Sequence, residues 1–193
     1  ILDQHVLRTH CSEYYKKLNA VSLTKKEIRR IGFPLSQELI ERECIIAQGT
    51  LKGCAFALKN GISFNIAGGT HHAFFDRGEA FCLLNDQAIA ANYLLVTEQA
   101  KQILIIDLDV HQGNGTAALF RNNPKVFTFS MHGKANYPFQ KETSDLDIAL
   151  EDNTKDNEYL DILALQLAHL FSTVQPDFVF YLSGVDVLKE DKL

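Results

Sequence analysis

Up to Asn60 the apolar positions fall mainly at helical spacing; beyond Gly61 the pattern alternates helix-like stretches with short strand-like runs. Leu7 to Leu18 has apolar positions at mixed helical intervals. Ile28 to Pro34 reads as a loop closed by Gly32 and Pro34. Ser36 is placed to cap a helix with Glu38 in its first turn, running through Leu39, Ile40 and Ile45 to Leu58 and ending at Asn60-Gly61. The alternation Ile62-Ser63-Phe64-Asn65-Ile66 predicts a strand. Asn85 or Asp86 caps a helix through Ala88, Ile89, Ala91 and Leu94. Ile103–Ile106 is a continuous apolar run of the kind buried on both faces of a parallel sheet, Val126–Phe129 is another β-rich run, and Phe178–Leu182 reads as a further buried strand. Tyr159 to Phe171 fits a packed helix. Strands alternating with helices predict an α/β fold with a mainly parallel sheet.

Composition narrows the class. Hydrophobic residues are 46% and charged residues 22% of the 193, which argues against a disordered, collagenous or coiled-coil chain. The net charge of −5 carries no basic excess pointing to nucleic acid. Apolar runs fall far short of the roughly 20 residues of a membrane span. Ile1 to His10 has no signal-peptide core. Cys11, Cys44, Cys54 and Cys82 have neither CxxC spacing nor disulfide-scaffold density, so a reducing, cytoplasmic setting is the default.

Ligands of parallel α/β sheets gather beyond the carboxyl ends of the strands. There the chain places Gly68-Gly69-Thr70-His71-His72, then Asp107-Leu108-Asp109-Val110-His111, then Ser130-Met131-His132, then Ser183-Gly184-Val185-Asp186. Four of the seven histidines and three aspartates thus converge on one predicted rim. If Asp107-x-Asp109-x-His111 stays extended, its period of two points all three side chains one way. Carboxylate and imidazole suit Zn²⁺ or Mn²⁺, and a catalytic zinc needs about three protein ligands and an open position. Asp186 is a candidate ligand from another strand. Read singly, each motif is equally well a solvated turn or a loop pair; the conjunction carries the metal reading.

Gly68–Ala73, Phe81–Asp86, Asp107–Thr116, Ser130–His132 and Ser183–Asp191 resemble, in order and spacing, the zinc-dependent histone deacetylases, most nearly the class IV members and bacterial relatives. The resemblance implies the three-layer arginase/deacetylase α/β fold. It implies one catalytic Zn²⁺ on Asp109, His111 and Asp186. His71 and His72 match the tandem catalytic histidines, with His72 as general base and then acid. Asp107 matches the carboxylate that orients the first histidine, and with Ser130 and Met131 it matches a K⁺ site. Phe81 matches a wall of the acyl-lysine tunnel, and Tyr137 takes a similar place on a neighbouring loop. The implied activity is removal of acetyl or longer acyl groups from lysine, with acylated protein or a small acylated amine as partner and neither nucleic acid nor membrane.

Three departures stand out. Ala80 replaces a common glycine, so its methyl narrows the tunnel mouth or shifts Phe81. Asn114 stands where many members have a second aspartate, which predicts a less basic His72. The family's catalytic tyrosine lies beyond the third ligand, and the chain ends at Leu193, so residues 1–193 are expected to be one catalytic domain incomplete at its C-terminus. The competing readings are an acetylpolyamine amidohydrolase, a di-manganese ureohydrolase, which needs more carboxylates than Ser183–Val187 offers, and an inactive fragment or binding module.

His132 is expected to be structural, His5, His10 and His169 to be surface or packing residues, and Cys82 a buried thiol beside Phe81. The acidic run Ser144–Asp156 is expected to be a solvated loop.

Overall fold

The computed structural model describes residues 1–191, which form two compact units, residues 1–99 and residues 100–191.

The first unit is helical: α1 (Asp3–Val6), α2 (Ser12–Asn19), α3 (Lys25–Ile31), α4 (Gln37–Asn60) and α5 (Asp86–Val96). The helical stretch expected from Leu7 to Leu18 is broken at Thr9 and His10, which are buried. Cys11 restarts the helix by accepting the Tyr14 N–H at its sulfur. Ile28–Ile31, expected in a loop, belongs to α3. A capping box explains this: Thr24 accepts the Glu27 N–H while the Glu27 carboxylate accepts the Thr24 N–H. Gly32, at φ 85°, ends the helix rather than a loop. Ser36 caps α4 at Leu39 N–H, and Gly61 closes it, both as expected. Asn85 caps α5, whose Ala88, Ile89, Ala90, Ala91 and Leu94 are fully buried.

The strand expected at Ile62–Ile66 does not form. Its alternation runs the other way round: the polar members face α4. Ser63 Oγ donates to Gly53 O (2.7 Å) and Asn65 Nδ2 to Ile46 O (3.0 Å), while Ile62, Phe64 and Ile66 are exposed. Side-chain hydrogen bonds to a helix backbone, rather than a strand neighbour, hold the segment.

The second unit is a parallel sheet with helices: β1 (Ile103–Asp107), α6 (Asn114–Phe120), β2 (Val126–Gly133), β3 (Leu146–Leu150), α7 (Asp156–Val174) and β4 (Phe178–Leu182). The strand order is β3-β2-β1-β4, all parallel. Leu104, Ile106, Phe129 and Met131 of the sheet pack with Leu108 and α7's Leu170, flanked by Ile162, Leu163 and Leu167. The register sets Asp107 beside Ser130 on one side and Leu182 on the other, so three strands reach the same level together.

The expected solvated loop Ser144–Asp156 instead contains β3. Its acids are used locally: Asp145 accepts Thr128 N–H (2.8 Å), and Asp147 accepts Ser144 N–H (2.8 Å). Leu146, Ile148 and Leu150 supply the alternate apolar positions. Among the described residues, no helix is long and apolar enough to cross a membrane.

Candidate functional site

In the second unit the side chains after β1 and β4 converge. The Asp107–His111 segment does not stay extended. Asp107 Oδ1 accepts Asp109 N–H (3.1 Å), and Asp109 Oδ1 accepts His111 N–H (2.9 Å). These two side-chain-to-backbone turns coil the segment beyond the strand end. Asp186 enters from the loop after β4, and its Oδ1 accepts Val110 N–H (3.0 Å). His111 Nδ1 lies 3.0 Å from Asp109 Oδ1 and 3.0 Å from Asp186 Oδ2. One ligand atom from each of Asp109, His111 and Asp186 falls within 4.8 Å of the others. The Asp109 carboxylate, then that of Asp186, pushes His111 up to about 9. That field favours a positive charge, and two carboxylates with one imidazole are a fitting donor set for a borderline divalent ion such as zinc.

Gly184 makes the convergence sterically possible. A Cβ there would lie 2.5 Å from Asp109 Cα, a backbone atom that cannot step aside.

Tyr137 stands at the edge of this group, its ring 6.4 Å from that of His111. Its loop is tied down twice. Gln112, fully buried, donates to Glu142 O and accepts Glu142 N–H (both 2.8 Å). Lys141 Nζ donates to Asn136 O (2.6 Å) and Pro138 O (2.8 Å). Asp107, Thr128 and Ser130 line a small cavity of about 10 Å³. His132 is buried with Nδ1 2.9 Å from Ser130 Oγ, in keeping with a structural role. Met131 is a buried core residue of β2, and Asn114 is buried at the start of α6.

In the first unit His71 and His72 are buried side by side, ring centroids 4.0 Å apart. They lie on a loop, not at a strand end, because no strand precedes them. Buried side chains hold that loop instead. Before the pair, Asp86 accepts Gly69 N–H (3.0 Å) and Thr70 N–H (2.9 Å). After it, His10 joins Phe74 to Asn85: Nδ1 lies 2.8 Å from Phe74 O, and Nε2 accepts Asn85 N–H (3.0 Å). His10 is thus a fully buried bridge, which excludes the surface alternative expected for it and gives the packing alternative a hydrogen-bonding role. Burial pushes its pKa down to about 4. Periodicity gives no hint of these partners, which are 64 and 75 residues distant from His10 in sequence.

Phe81 is about half exposed, with its ring 5.0 Å from that of Phe33. Its N–H donates to Ile31 O (2.6 Å), and that of Ala80 to Arg30 O (3.0 Å). Ala80 has φ 42° and Phe81 φ 66°, a left-handed pair that glycine adopts more readily than alanine. Cys82 beside them is buried.

The histone deacetylase domain family matches residues 1–193, and the chain belongs to it. The chain is 47% identical over 184 residues to an uncharacterised protein of Picosynechococcus, covering 95% of this chain and 61% of that protein. It superposes on the crystal structure of an HDAC homolog from Aquifex aeolicus with a TM-score of 0.86 at 26% identity, covering 98% of this chain and 57% of that one. An HDAC homolog complexed with SAHA gives 0.87 at 27% identity, with 100% and 57% covered. The α/β fold with a parallel sheet is therefore the deacetylase fold, and the chain spans about three fifths of the length of these relatives.

Proposed function

We propose that residues 1–193 belong to one catalytic domain of a zinc-dependent deacetylase that hydrolyses the amide of acetyl- or acyl-lysine. The observation that carries this reading is the convergence of Asp109, His111 and Asp186 after adjacent strands of a histone deacetylase family chain. A divalent ion held there supplies Lewis acidity, polarising a carbonyl oxygen and lowering the pKa of water.

The chain's own residues do the rest. His72 accepts a proton from water as the water oxygen attacks the amide carbon. The resulting imidazolium returns that proton to the nitrogen as the C–N bond breaks, leaving a carboxylic acid and the lysine amine, which exchange a proton to give carboxylate and ammonium. His71 shares this proton handling, and Asp107 and Asn114 keep the supporting roles that the resemblance implies. Phe81, Ala80 and Tyr137 are assigned to the walls around the acyl-lysine stem. Asp107, Ser130 and Met131 are assigned to a K⁺ site on the resemblance; Asp107 and Ser130 stand at paired positions of β1 and β2.

The test uses the full-length protein. Metal analysis and turnover of an acetyl-lysine peptide and an N-acetylpolyamine are measured in parallel. About one zinc per chain with faster peptide turnover is expected. Turnover of the polyamine alone replaces the substrate class, and no turnover of either at full zinc loading overturns the reading.

A further inference from the structure

We infer that Asp86 is a positioning residue for the His71–His72 pair: its buried carboxylate sets where the two imidazoles stand. The catalytic meaning of that placement rests on the deacetylase reading; the placement itself does not.

Asp86 is 1% exposed, and a carboxylate so buried is costly unless donors saturate it. Here donors reach both oxygens. Oδ1 accepts Gly69 and Thr70 N–H, and Thr70 Oγ1 lies 2.8 Å from it. Oδ2 accepts the Thr50 hydroxyl at 2.5 Å. Bonds of this charge-assisted type are about twice as strong as neutral ones. The carboxylate also stands in the first turn of the 11-residue α5, where the helix dipole favours an anion.

The direction of this anchoring matters. The Gly69 and Thr70 N–H groups are the backbone donors immediately preceding His71, so holding both fixes how the chain enters the pair. Thr70 also tightens the knot, accepting Asp86 N–H (3.2 Å) with its hydroxyl 2.6 Å from Leu84 O. A Cβ on Gly68 would lie 2.6 Å from Asp86 Oδ2, so the loop is drawn in too closely for a side chain there. On the far side, Thr50 Oγ1 accepts from Asn65 Nδ2 at 2.7 Å. The carboxylate therefore transmits the position of two long helices, α4 and α5, to a loop with no regular structure of its own. Any other acceptor would have to offer two oxygens with no proton in the same place.

The test compares Asp86→Asn and Thr50→Val with wild type in the full-length metal-loaded protein. Asparagine keeps the shape but replaces one acceptor with a donor; valine removes one donor and leaves Asp86 in place. Histidine-labelled NMR reads the imidazole ¹⁵N shifts of His71 and His72, and kinetics separates kcat from KM. Asp86→Asn is expected to move both imidazole signals and lower kcat about 10- to 100-fold, the cost of roughly 1 Å of misplacement, with KM and zinc content within about twofold. Thr50→Val shifts the same signals less. Wild-type imidazole signals in a folded Asp86→Asn overturn the inference. If that variant does not fold, unchanged signals in Thr50→Val overturn it. If the wild type turns over no acyl-lysine, the deacetylase reading fails, while the imidazole signals still decide the placement.

Discussion

The Asp109–His111–Asp186 group and the histidine pair are built by opposite means. The first group grows from a hydrogen-bonded sheet: β1 and β4 end at the same level, and short side-chain turns finish the approach. The histidine pair stands on a loop that no strand supports, held by isolated buried polar side chains at its two ends. The first arrangement spreads its precision over a ladder of backbone bonds. The second concentrates it in a few side chains, so single substitutions there act on placement more than on the fold.

The largest effect expected is on the sheet-built group. Asp186→Asn removes one charged ligand and weakens zinc binding about a thousandfold, about 4 kcal/mol, read by competition with a chromogenic chelator. The His71 and His72 imidazole signals of the zinc-free protein stay at their wild-type positions if the two regions are built independently. Gly184→Ala comes next. Its methyl meets Asp109 Cα at a hypothetical 2.5 Å, so overpacking costs about 3 kcal/mol in urea unfolding and lowers zinc affinity with it.

His10 tests the loop-built side through pH. Its folded-state pKa is pushed down to about 4, below the unfolded value of about 6.5. As pH falls through 6.5 the unfolded chain gains a proton that the folded chain refuses, so stability is complete above 6.5 and declines toward 4. Between pH 7 and pH 5 the loss is about 2 kcal/mol. His10→Gln removes that part of the slope, and an unchanged slope would refute the buried neutral bridge. Asn85→Ala removes the α5 cap and costs about 1 kcal/mol in thermal unfolding. Smallest is Ala80→Gly, which relieves a φ of 42° and stabilises by about 0.5 kcal/mol, with little change in zinc affinity.

The same contrast decides what could be read in the chain. A continuous apolar run announced β1, which is buried along its whole length, and β-rich runs announced β2 and β4; Asp109, His111 and Asp186 follow β1 and β4. Ser36 and Asn85 were legible as caps because capping is local. The failures were non-local or doubly determined. Ile62–Ile66 alternates as a strand would, but the bonds from Ser63 and Asn65 to α4 decide its shape. β3 hid among acids whose partners are backbone and hydroxyl groups elsewhere in the unit. The Thr24–Glu27 capping box was visible in principle and outweighed by the nearby Gly32 and Pro34. His10 carries no local signature, and Asp86 was legible only as a possible cap of α5, not as the acceptor of Gly69 and Thr70. Their roles exist only once distant segments meet.

The pairing of β1 with β4 has a further consequence. Asp186 reaches Val110 across 76 residues of chain, so the three side chains come together only when β4 pairs with β1. Non-local parallel pairings of this kind form slowly, because a long loop must be ordered before any contact rewards it. An ion bound to Asp109, His111 and Asp186 is therefore also a clasp on that pairing. At free concentrations 100-fold above its dissociation constant it would add about 2.7 kcal/mol to the closed sheet. Zinc supply would then govern the lifetime of the fold as well as the chemistry proposed for it.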